Sequence, residues 1–234
     1  MKQLRLSSER GHVDAGWLDS RHTFSFGSYH DPAHMSFGPL RVINEDHISP
    51  GGGFPPHPHR DMEIVTYVVQ GALAHRDSLG NGSEIRPGDV QQMTAGTGIR
   101  HSEYNASEAE PVWLLQIWIE PEAQNFTPGY QQIRFEPAEL RNRLRLVAAR
   151  DGRDGSVKLH QDVDLYAARL DTGERVELPA RPERRRWIQV IEGDVRVGDT
   201  TLRAGDGLGI VDDGALRIES IGASHLLAFD MADV

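Results

Sequence analysis

The sequence predicts an all-β protein built from two tandem barrels. Glycine and proline, 24 and 13 of the 234 residues, separate short runs of β-branched and aromatic residues, a pattern typical of antiparallel strands joined by turns. The clearest runs predict strands at 63–69, 112–119, 187–191, 215–219 and 225–229. The best candidate for a helix is short, at 137–143.

A weak internal repeat indicates that the two barrels are of one kind. Val68–Gly71 resembles Val190–Gly193, Arg86–Asp89 resembles Arg203–Asp206, and Val112–Trp118 resembles Ser224–Asp230. Each half therefore has a strand that ends at a glycine turn, then a hairpin and a Gly-Asp turn. We predict an N-terminal barrel in residues 1–135 and a C-terminal barrel in residues 136–234.

The composition argues against several kinds of site and partner. No cysteine is present, which excludes disulfides, thiolate metal sites and a cysteine nucleophile. The net charge of −10 argues against direct binding to nucleic acid. No apolar run approaches the roughly 20 residues that span a bilayer, and Met1–Arg5 is polar, so we expect a cytoplasmic protein that contacts no membrane. The one basic cluster, Arg181 with Arg184–Arg186, is expected to be a solvated loop.

Two short motifs about forty residues apart carry the chemistry. His57–His59 and His101–Glu103 each contain an i, i+2 pair, which places both side chains on one face of an extended strand. Three imidazoles and a carboxylate suit one divalent transition metal: Fe, Mn, Co, Ni, Cu or Zn. Pro56 and Pro58 favour an edge position for the first motif. None of these ligands has a counterpart in the second half, so we predict a metal in the N-terminal barrel alone.

Some assignments stay open from the residues alone. Glu63 shares its strand parity with His59 and could replace Glu103 as a ligand, or it could be an acid paired with an arginine. Asn105 could orient a ligand. Five other histidines are expected to lie at the surface or in ordinary packing: His12, His47, His75, His160 and His225. His22, His30 and His34 belong to an aromatic segment that could cover the mouth of the barrel, although ordinary packing is expected for them too.

The two motifs resemble those of the cupins. The first cupin motif is matched by Gly51, His57, His59 and Glu63, with Gly71 one residue late, and the second by Gly88, Gly96, His101 and Asn105. Thr94 stands where the second motif has proline, and two extra residues precede His101. The resulting stretch 95–103 resembles the pirin branch of the cupins. Three further stretches share this resemblance: His22–Phe26, Leu40–Asn44 and His57–Glu63.

The resemblance to pirins implies a bicupin, two jelly-roll barrels with a single metal. Its ligands would be the residues that match His57, His59, His101 and Glu103, with Fe(II) as the first choice of metal. The chain most resembles the bacterial pirin-like quercetin 2,3-dioxygenases, which open the central ring of a flavonol with O2 and release carbon monoxide. Nuclear pirins of animals imply an alternative: a metal- or redox-dependent regulator that acts through a protein partner.

For a dioxygenase, the expected partners are a small aromatic, flavonol-like substrate and O2. The substrate's 3-hydroxyl would bind the metal, and a carboxylate, Glu103 or Glu63, would take the hydroxyl proton as general base. Phe54, Met93 and Trp113 are candidates for the apolar walls. Another small-molecule reaction at the same site stays open, because function depends on the site rather than the fold. We expect a monomer, since two barrels can cover each other's sheet edges.

Overall fold

Antiparallel strands make up nearly all of the regular structure in this computed structural model, which describes residues 1–211 and 214–232. The prediction of an all-β protein is confirmed. The strands, in chain order, are β1 (Lys2–Arg5), β2 (Gly11–Asp14), β3 (Leu18–His22), β4 (Leu40–Ile48), β5 (Gly53–His59), β6 (Glu63–Gln70), β7 (Leu73–Asp77), β8 (Gly82–Ile85), β9 (Asp89–Thr94), β10 (Ile99–Asn105), β11 (Val112–Ile119), β12 (Gly129–Arg134), β13 (Arg145–Ala149), β14 (Val157–Lys158), β15 (Val163–Leu170), β16 (Arg175–Leu178), β17 (Arg184–Glu192), β18 (Val195–Val197), β19 (Thr200–Leu202), β20 (Gly207–Val211), β21 (Leu216–Ser220) and β22 (Ser224–Ala232).

The strands belong to two compact units, each with its own sheets. We call them the N-terminal barrel, formed by Gly11–Arg134 and Val157–Gln161, and the C-terminal barrel, formed by Met1–Arg10, Phe135–Ser156 and the described residues from Asp162 onward. The N-terminal barrel has a seven-stranded sheet of order β12-β9-β6-β11-β4-β3-β2 and a four-stranded sheet of order β5-β10-β7-β8. In the C-terminal barrel one sheet has the order β1-β20-β17-β22-β15-β13 and the other β16-β21-β18-β19.

Two segments lie outside the barrel to which a boundary at 135/136 would assign them. The first ten residues belong to the C-terminal barrel, where β1 pairs with β20 and Lys2 lies opposite Ile210. Residues 157–161 belong to the N-terminal barrel. A strand such as β1 covers the open edge of another strand, and this pairing over about two hundred residues leaves no local pattern in the sequence.

Glycine turns confirm the internal repeat. Gly71 and Gly193 have φ angles of +80° and +74°, in the region that side-chain-bearing residues rarely adopt. A Cβ added to Gly71 would lie 2.7 Å from the carbonyl oxygen of Pro111, and one added to Gly193 would lie 2.2 Å from that of Ala223. Both turns therefore need glycine, because the chain returns close to the turn in each barrel.

The Gly-Asp turns also match between the barrels. The Asp89 carboxylate accepts a hydrogen bond from the backbone N–H of Arg86 at 2.8 Å. The Asp206 carboxylate accepts the same bond from Arg203 at 2.9 Å. Each aspartate thus closes its own turn, which explains why the two Gly-Asp pairs occur at equivalent places.

The predicted helix is present but shorter than expected. Residues Pro137–Leu140 form α1. Its start is stabilised by reciprocal hydrogen bonds between Glu136 and Glu139, a capping box, and proline occupies its first turn. Arg141 already has extended backbone angles and ends the helix. None of the helices among the described residues is long and apolar enough to cross a membrane.

The prediction that the basic cluster forms a solvated loop is wrong for two of its arginines. Arg184 and Arg186 lie in β17 and are only 5% and 0% exposed. Both approach Asp230, which is 1% exposed: Arg184 Nε donates to its carboxylate, and Arg186 Nε lies 3.6 Å from the other oxygen. Side chains along a strand point alternately to its two faces, so every second arginine of this run points inward, where a buried carboxylate can pair with it.

Candidate metal centre

The two predicted metal motifs lie side by side on paired strands. β5 and β10 are antiparallel, and their register places His101 opposite His57. The order of the sheet makes β5 an edge strand. An edge strand has one side without a partner strand, and a proline there removes no hydrogen bond from the sheet. The prediction of an edge position for Pro56 and Pro58 is therefore confirmed.

The three imidazole rings converge on one point. Nε2 of His59 lies 2.9 Å from Nε2 of His101, and a ligand atom from each of the three histidines lies within 4.8 Å of the others. Nδ1 of His57 is 2.8 Å from the carbonyl oxygen of Pro55. Since a carbonyl only accepts, Nδ1 is the donor in this contact, which leaves Nε2 as the ring atom that can bind a metal.

Glu103, the predicted fourth ligand, lies on the same strand as His101. The pairing of β10 with β5 shifts register between these two residues, and one Glu103 oxygen lies 3.8 Å from Nε2 of His101. Nε2 of Gln116 donates to both carboxylate oxygens, at 3.0 and 3.1 Å. Thr66 donates in turn to the Gln116 oxygen at 2.9 Å. The carboxylate is thus held in one orientation by the facing sheet.

Burial sets the protonation of these groups. It lowers the pKa of His59 to about 4, helped by the nearby His57 ring. It lowers the pKa of His101 to about 2, helped by the nearby His59, His57 and His75 rings. Burial also raises the pKa of Glu103 to about 7, against the stabilising bonds from Gln116. At neutral pH His59 and His101 therefore hold free lone pairs.

The arrangement fits a divalent transition metal. His101 is 2% exposed, and its Nε2 lies 2.9 Å from that of His59. Two neutral imidazoles can meet this closely when one Nε2–H donates to the other Nε2, or when both lone pairs bind a cation. A cation would satisfy them, and the Glu103 carboxylate would offset part of its charge. We call His57, His59, His101 and Glu103 the ligand cluster.

A glycine turn positions the start of β10. Gly96 has a φ of +47°, and an added Cβ would lie 1.9 Å from the carbonyl oxygen of Phe126. The backbone N–H of Thr97 donates to this same oxygen at 2.9 Å. The turn that precedes His101 is therefore pinned against the chain at Phe126.

Gly96→Ala is expected to lower the free energy of unfolding by at least roughly 1–3 kcal/mol, the usual cost of a strained backbone residue. It should also lower metal occupancy, because the turn leads directly into β10. Urea unfolding and metal analysis would measure both effects. Gly129→Ala is the control: an added Cβ there meets nothing within 4 Å, so no change is expected. Equal stability of the two variants would contradict the role of the turn.

A cavity of about 310 Å³ opens beside the ligand cluster. Its lining combines ligands, polar side chains and aromatic rings: Phe26, Asn44, Asp46, Phe54, His57, His59, Glu103, Gln116 and Trp118. Trp118 meets His59 edge-to-face at 4.9 Å between ring centroids, and Phe26 meets Trp118 at 5.2 Å. The cavity has the mixture typical of small-molecule sites, largely apolar with a few polar groups.

The predicted apolar walls are partly correct. Phe54 lines the cavity. Met93 instead packs in a separate buried cluster with Ile64, and Trp113 stacks on His47 at 5.2 Å. Sequence reasoning missed Phe26 and Trp118. Trp118 could have been found from its neighbour, because Trp113 and Trp118 differ in strand parity and must point to opposite faces.

Glu63 does not join the ligand cluster. Its side chain is fully buried and accepts hydrogen bonds from Gln92 at 2.8 Å, from Thr94 at 3.2 Å and from the backbone N–H of His160 at 3.1 Å. Burial raises its pKa, while the His160 contacts oppose this. The residues that contact Glu63 are neither metal ligands nor arginines, and His160, which is half-buried, packs against Phe126.

Asn105 has a different role from the one proposed for it. Its side-chain amide donates to the carbonyl oxygens of Ile48 and Glu110, at 3.0 and 2.8 Å, and its oxygen accepts from the backbone of Ser107 at 2.9 Å. These bonds brace the loop after β10. None of its hydrogen bonds reaches a ligand.

His75, predicted to lie at the surface or in ordinary packing, lies beside His101 and Glu103. It is 1% exposed, lies opposite Glu103 in the pairing of β7 with β10, and has its ring centroid 5.3 Å from that of His101. Its Nε2 is 3.3 Å from the Asp77 carboxylate. A ligand atom of His75 lies within 4.8 Å of those of His101 and Glu103. Only the pairing of two distant strands reveals this neighbour, since no spacing rule links the three residues.

Comparison with known proteins places the chain in a family. Residues 3–119 match the family model described as Pirin, and residues 146–231 match the model described as the quercetinase C-terminal cupin domain. The quercetin 2,3-dioxygenase of Escherichia coli (strain K12) is 48% identical over the whole of both chains.

Solved structures agree in fold. The crystal structure of YhhW from Escherichia coli superposes with a TM-score of 0.96 at 48% identity, covering 100% of this chain and 99% of that one. A second structure, of the bacterial pirin YhhW in complex with nickel(II), gives 0.95 at the same identity and covers both chains completely. The cupin prediction is confirmed for both barrels, and the chain belongs to the pirin family.

Proposed function

We propose that this protein is a metal-dependent dioxygenase that opens the central ring of a flavonol such as quercetin with O2 and releases carbon monoxide. The observation that carries the proposal is the convergence of the His57, His59 and His101 imidazoles, with the Glu103 carboxylate 3.8 Å from His101, at an aromatic-lined cavity of about 310 Å³. The 48% identity to a quercetin 2,3-dioxygenase over the full chain supports it.

The ligand cluster would hold the metal through the histidine Nε2 atoms and the Glu103 carboxylate. A bound divalent metal supplies Lewis acidity that makes the flavonol 3-hydroxyl more acidic and a redox-capable centre for O2. Fe(II) is our first choice, and Ni(II) is the main alternative because the related YhhW has been crystallised with nickel(II). Cu, Co, Mn and Zn suit the same donors.

The chain's own contribution is to orient the substrate and to accept a proton. Phe26, Phe54 and Trp118 offer ring edges and faces for a flat aromatic molecule. Glu103 borders the cavity, and its carboxylate can take the 3-hydroxyl proton. Glu63 cannot easily do so, because Gln92, Thr94 and His160 already occupy its oxygens. We therefore assign the general base to Glu103.

The decisive experiment is a turnover assay after metal reconstitution. The protein, loaded separately with Fe(II) and Ni(II), is incubated with quercetin under air, and quercetin, O2 and carbon monoxide are measured. Flavonol plus O2 balances as a ring-opened product plus carbon monoxide, so one molecule of each gas should be exchanged per flavonol. Absence of carbon monoxide with every reconstituted metal would overturn the proposal.

Metal binding is expected to release a proton from Glu103. In the metal-free protein this carboxyl has a pKa of about 7, so it is largely protonated near pH 6 and ionised near pH 8.5, and a metal needs the ionised form. Titration calorimetry in buffers of different ionisation enthalpy should find about one proton more released by wild type than by Glu103→Gln near pH 6. The difference should vanish near pH 8.5; a pH-independent difference would contradict this role.

Several expectations stay predictions from the sequence. These are the domain boundary at 135/136, the monomeric state, the cytoplasmic location, the lack of contact with nucleic acid and the alternative role as a regulator that acts through a protein partner. The two metal-ligand groups found among the described residues both lie in the N-terminal barrel. A pull-down whose partner depends on metal loading would favour the regulator.

A further inference from the structure

The wall that faces the ligand cluster carries polar side chains that the proposed reaction does not use. Asn44 and Asp46 are an i, i+2 pair on β4, so both point to the same face of the strand. In the register of the seven-stranded sheet, Asn44 lies opposite Gln116 and Asp46 lies opposite Ser20. Each of the pair is only 4% exposed. Gln116 holds the Glu103 carboxylate, so this wall adjoins the ligand cluster.

A second cavity adjoins the first at this wall. It measures about 240 Å³, and Ser20 and His22 contribute to its lining. Four residues border both cavities: Phe26, Asn44, Asp46 and Phe54. A ligand that is anchored at the ligand cluster and extends beyond it would therefore pass Asn44 and Asp46, with aromatic rings beside it.

The hydrogen-bonding capacity of the wall is incompletely used. The side-chain oxygen of Asn44 is buried and has no hydrogen-bond partner among the described residues. Such an orphaned acceptor is costly in a folded protein unless something donates to it. Asp46 receives a hydrogen bond from the Ser20 hydroxyl at one oxygen, which leaves its other oxygen able to accept. Both groups are acceptors, so the complementary ligand groups are hydroxyl donors.

We propose that Asn44 and Asp46 recognise phenolic hydroxyl groups on the pendant phenyl ring of the substrate. This inference rests on the proposed function, which places the flavonol 3-hydroxyl at the ligand cluster. The pendant ring is attached next to the carbon that bears the 3-hydroxyl, and it turns about a single bond. It can therefore enter the second cavity while the fused rings stay in the first. The preferred substrates are then flavonols with hydroxyls on that ring.

The test compares three flavonols that differ only in the pendant ring: quercetin with two hydroxyls, kaempferol with one and galangin with none. Affinities are measured by absorbance titration of the metal-loaded protein without O2, so that no turnover is needed. Quercetin should bind roughly 10- to 100-fold more tightly than galangin, with kaempferol between them, since hydrogen bonds to a charged or orphaned acceptor are worth this much. Equal affinities within twofold would overturn the proposal.

Variants separate recognition from folding. Asp46→Asn, which keeps size and shape, and Asn44→Leu should each weaken quercetin binding towards the galangin value and leave galangin binding unchanged. Glu45→Gln is the matched control, because Glu45 lies between them on β4 and points to the other face. If Asn44→Leu does not fold, Asp46→Asn alone still decides the outcome. Retained discrimination in Asp46→Asn would count against the assignment.

The outcomes also distinguish this inference from the proposed function. If the three flavonols bind with different affinities but no carbon monoxide is released, recognition by Asn44 and Asp46 is supported and the dioxygenase proposal is overturned. If carbon monoxide is released but the affinities are equal, the dioxygenase proposal is supported and recognition by Asn44 and Asp46 is overturned. Discrimination that follows hydroxyls of the fused rings, tested with matched flavonols, would also overturn the placement of the pendant ring.

Discussion

Replacing His101 by alanine is expected to remove the metal and to lower flavonol turnover by on the order of 10³-fold or more, since losing a single preorganised charge-stabilising group can already cost about 10²–10³. His101 links the two halves of the proposed ligand cluster: its Nε2 lies 2.9 Å from that of His59 and 3.8 Å from the Glu103 carboxylate. Metal content by mass spectrometry and carbon monoxide release measure the two effects together.

Two further variants make that result interpretable. His57→Ala removes a ligand whose side chain is only partly buried, so its loss of metal should come with less disturbance of packing. His47→Ala changes a side chain that is 48% exposed and lies outside the cavity lining, so metal content and turnover should equal those of wild type. Full metal occupancy in His101→Ala would remove His101 from the ligand set.

Replacing Asp230 by alanine is expected to lower the free energy of unfolding by about 3–5 kcal/mol, because Arg184 loses the more buried of its two carboxylate partners and the buried Arg186 loses the charge nearest to it. Arg184 donates both to the Asp230 carboxylate and to its backbone carbonyl, the latter at 2.9 Å. Arg181 also contributes, at 3.3 Å from the carboxylate. The side chains of Arg184 and Asp230 are 6% and 2% exposed, so water cannot replace the lost partner.

Urea unfolding, followed by tryptophan fluorescence, would measure the effect, since Trp187 is buried in the same barrel. Asp199→Ala is the control in that barrel: Asp199 pairs with Lys2 at the surface, where an ion pair contributes little. An unchanged unfolding midpoint for Asp230→Ala would show that the arginines find other partners.

The ligand cluster could be read from the sequence because its information is local. Each i, i+2 pair sits on one strand, and the period of two alone places His57 with His59 and His101 with Glu103. The choice between Glu63 and Glu103 was not local. Both have suitable parity, and the resemblance to pirins, rather than spacing, favoured Glu103. The structure supplies the physical reason: Glu63 lies in β6, in the facing sheet, where Gln92 and Thr94 hold it.

The walls of the site were harder to predict. Phe26 comes from the loop after β3, and Asn44 and Asp46 come from β4, a strand with no ligand. Their meeting with the ligand cluster depends on how one sheet packs over the other. The same holds for His75, whose approach to His101 depends on the pairing of β7 with β10. Arg184 and Arg186 were misplaced for the related reason that their buried partner, Asp230, lies far along the chain, 46 residues from Arg184.

By itself, the sequence determined the all-β class, the repeat of two cupin barrels and the two histidine motifs with their shared face, because turn residues and strand periodicity act between neighbours in the chain. Tertiary structure alone decided which barrel receives β1, which hydrogen bonds hold Glu103 and which side chains line the cavity. Those outcomes depend on strand register and on the packing of facing sheets. Both bring together residues that no local preference connects, and burial there sets the hydrogen bonds and pKa values on which the chemistry depends.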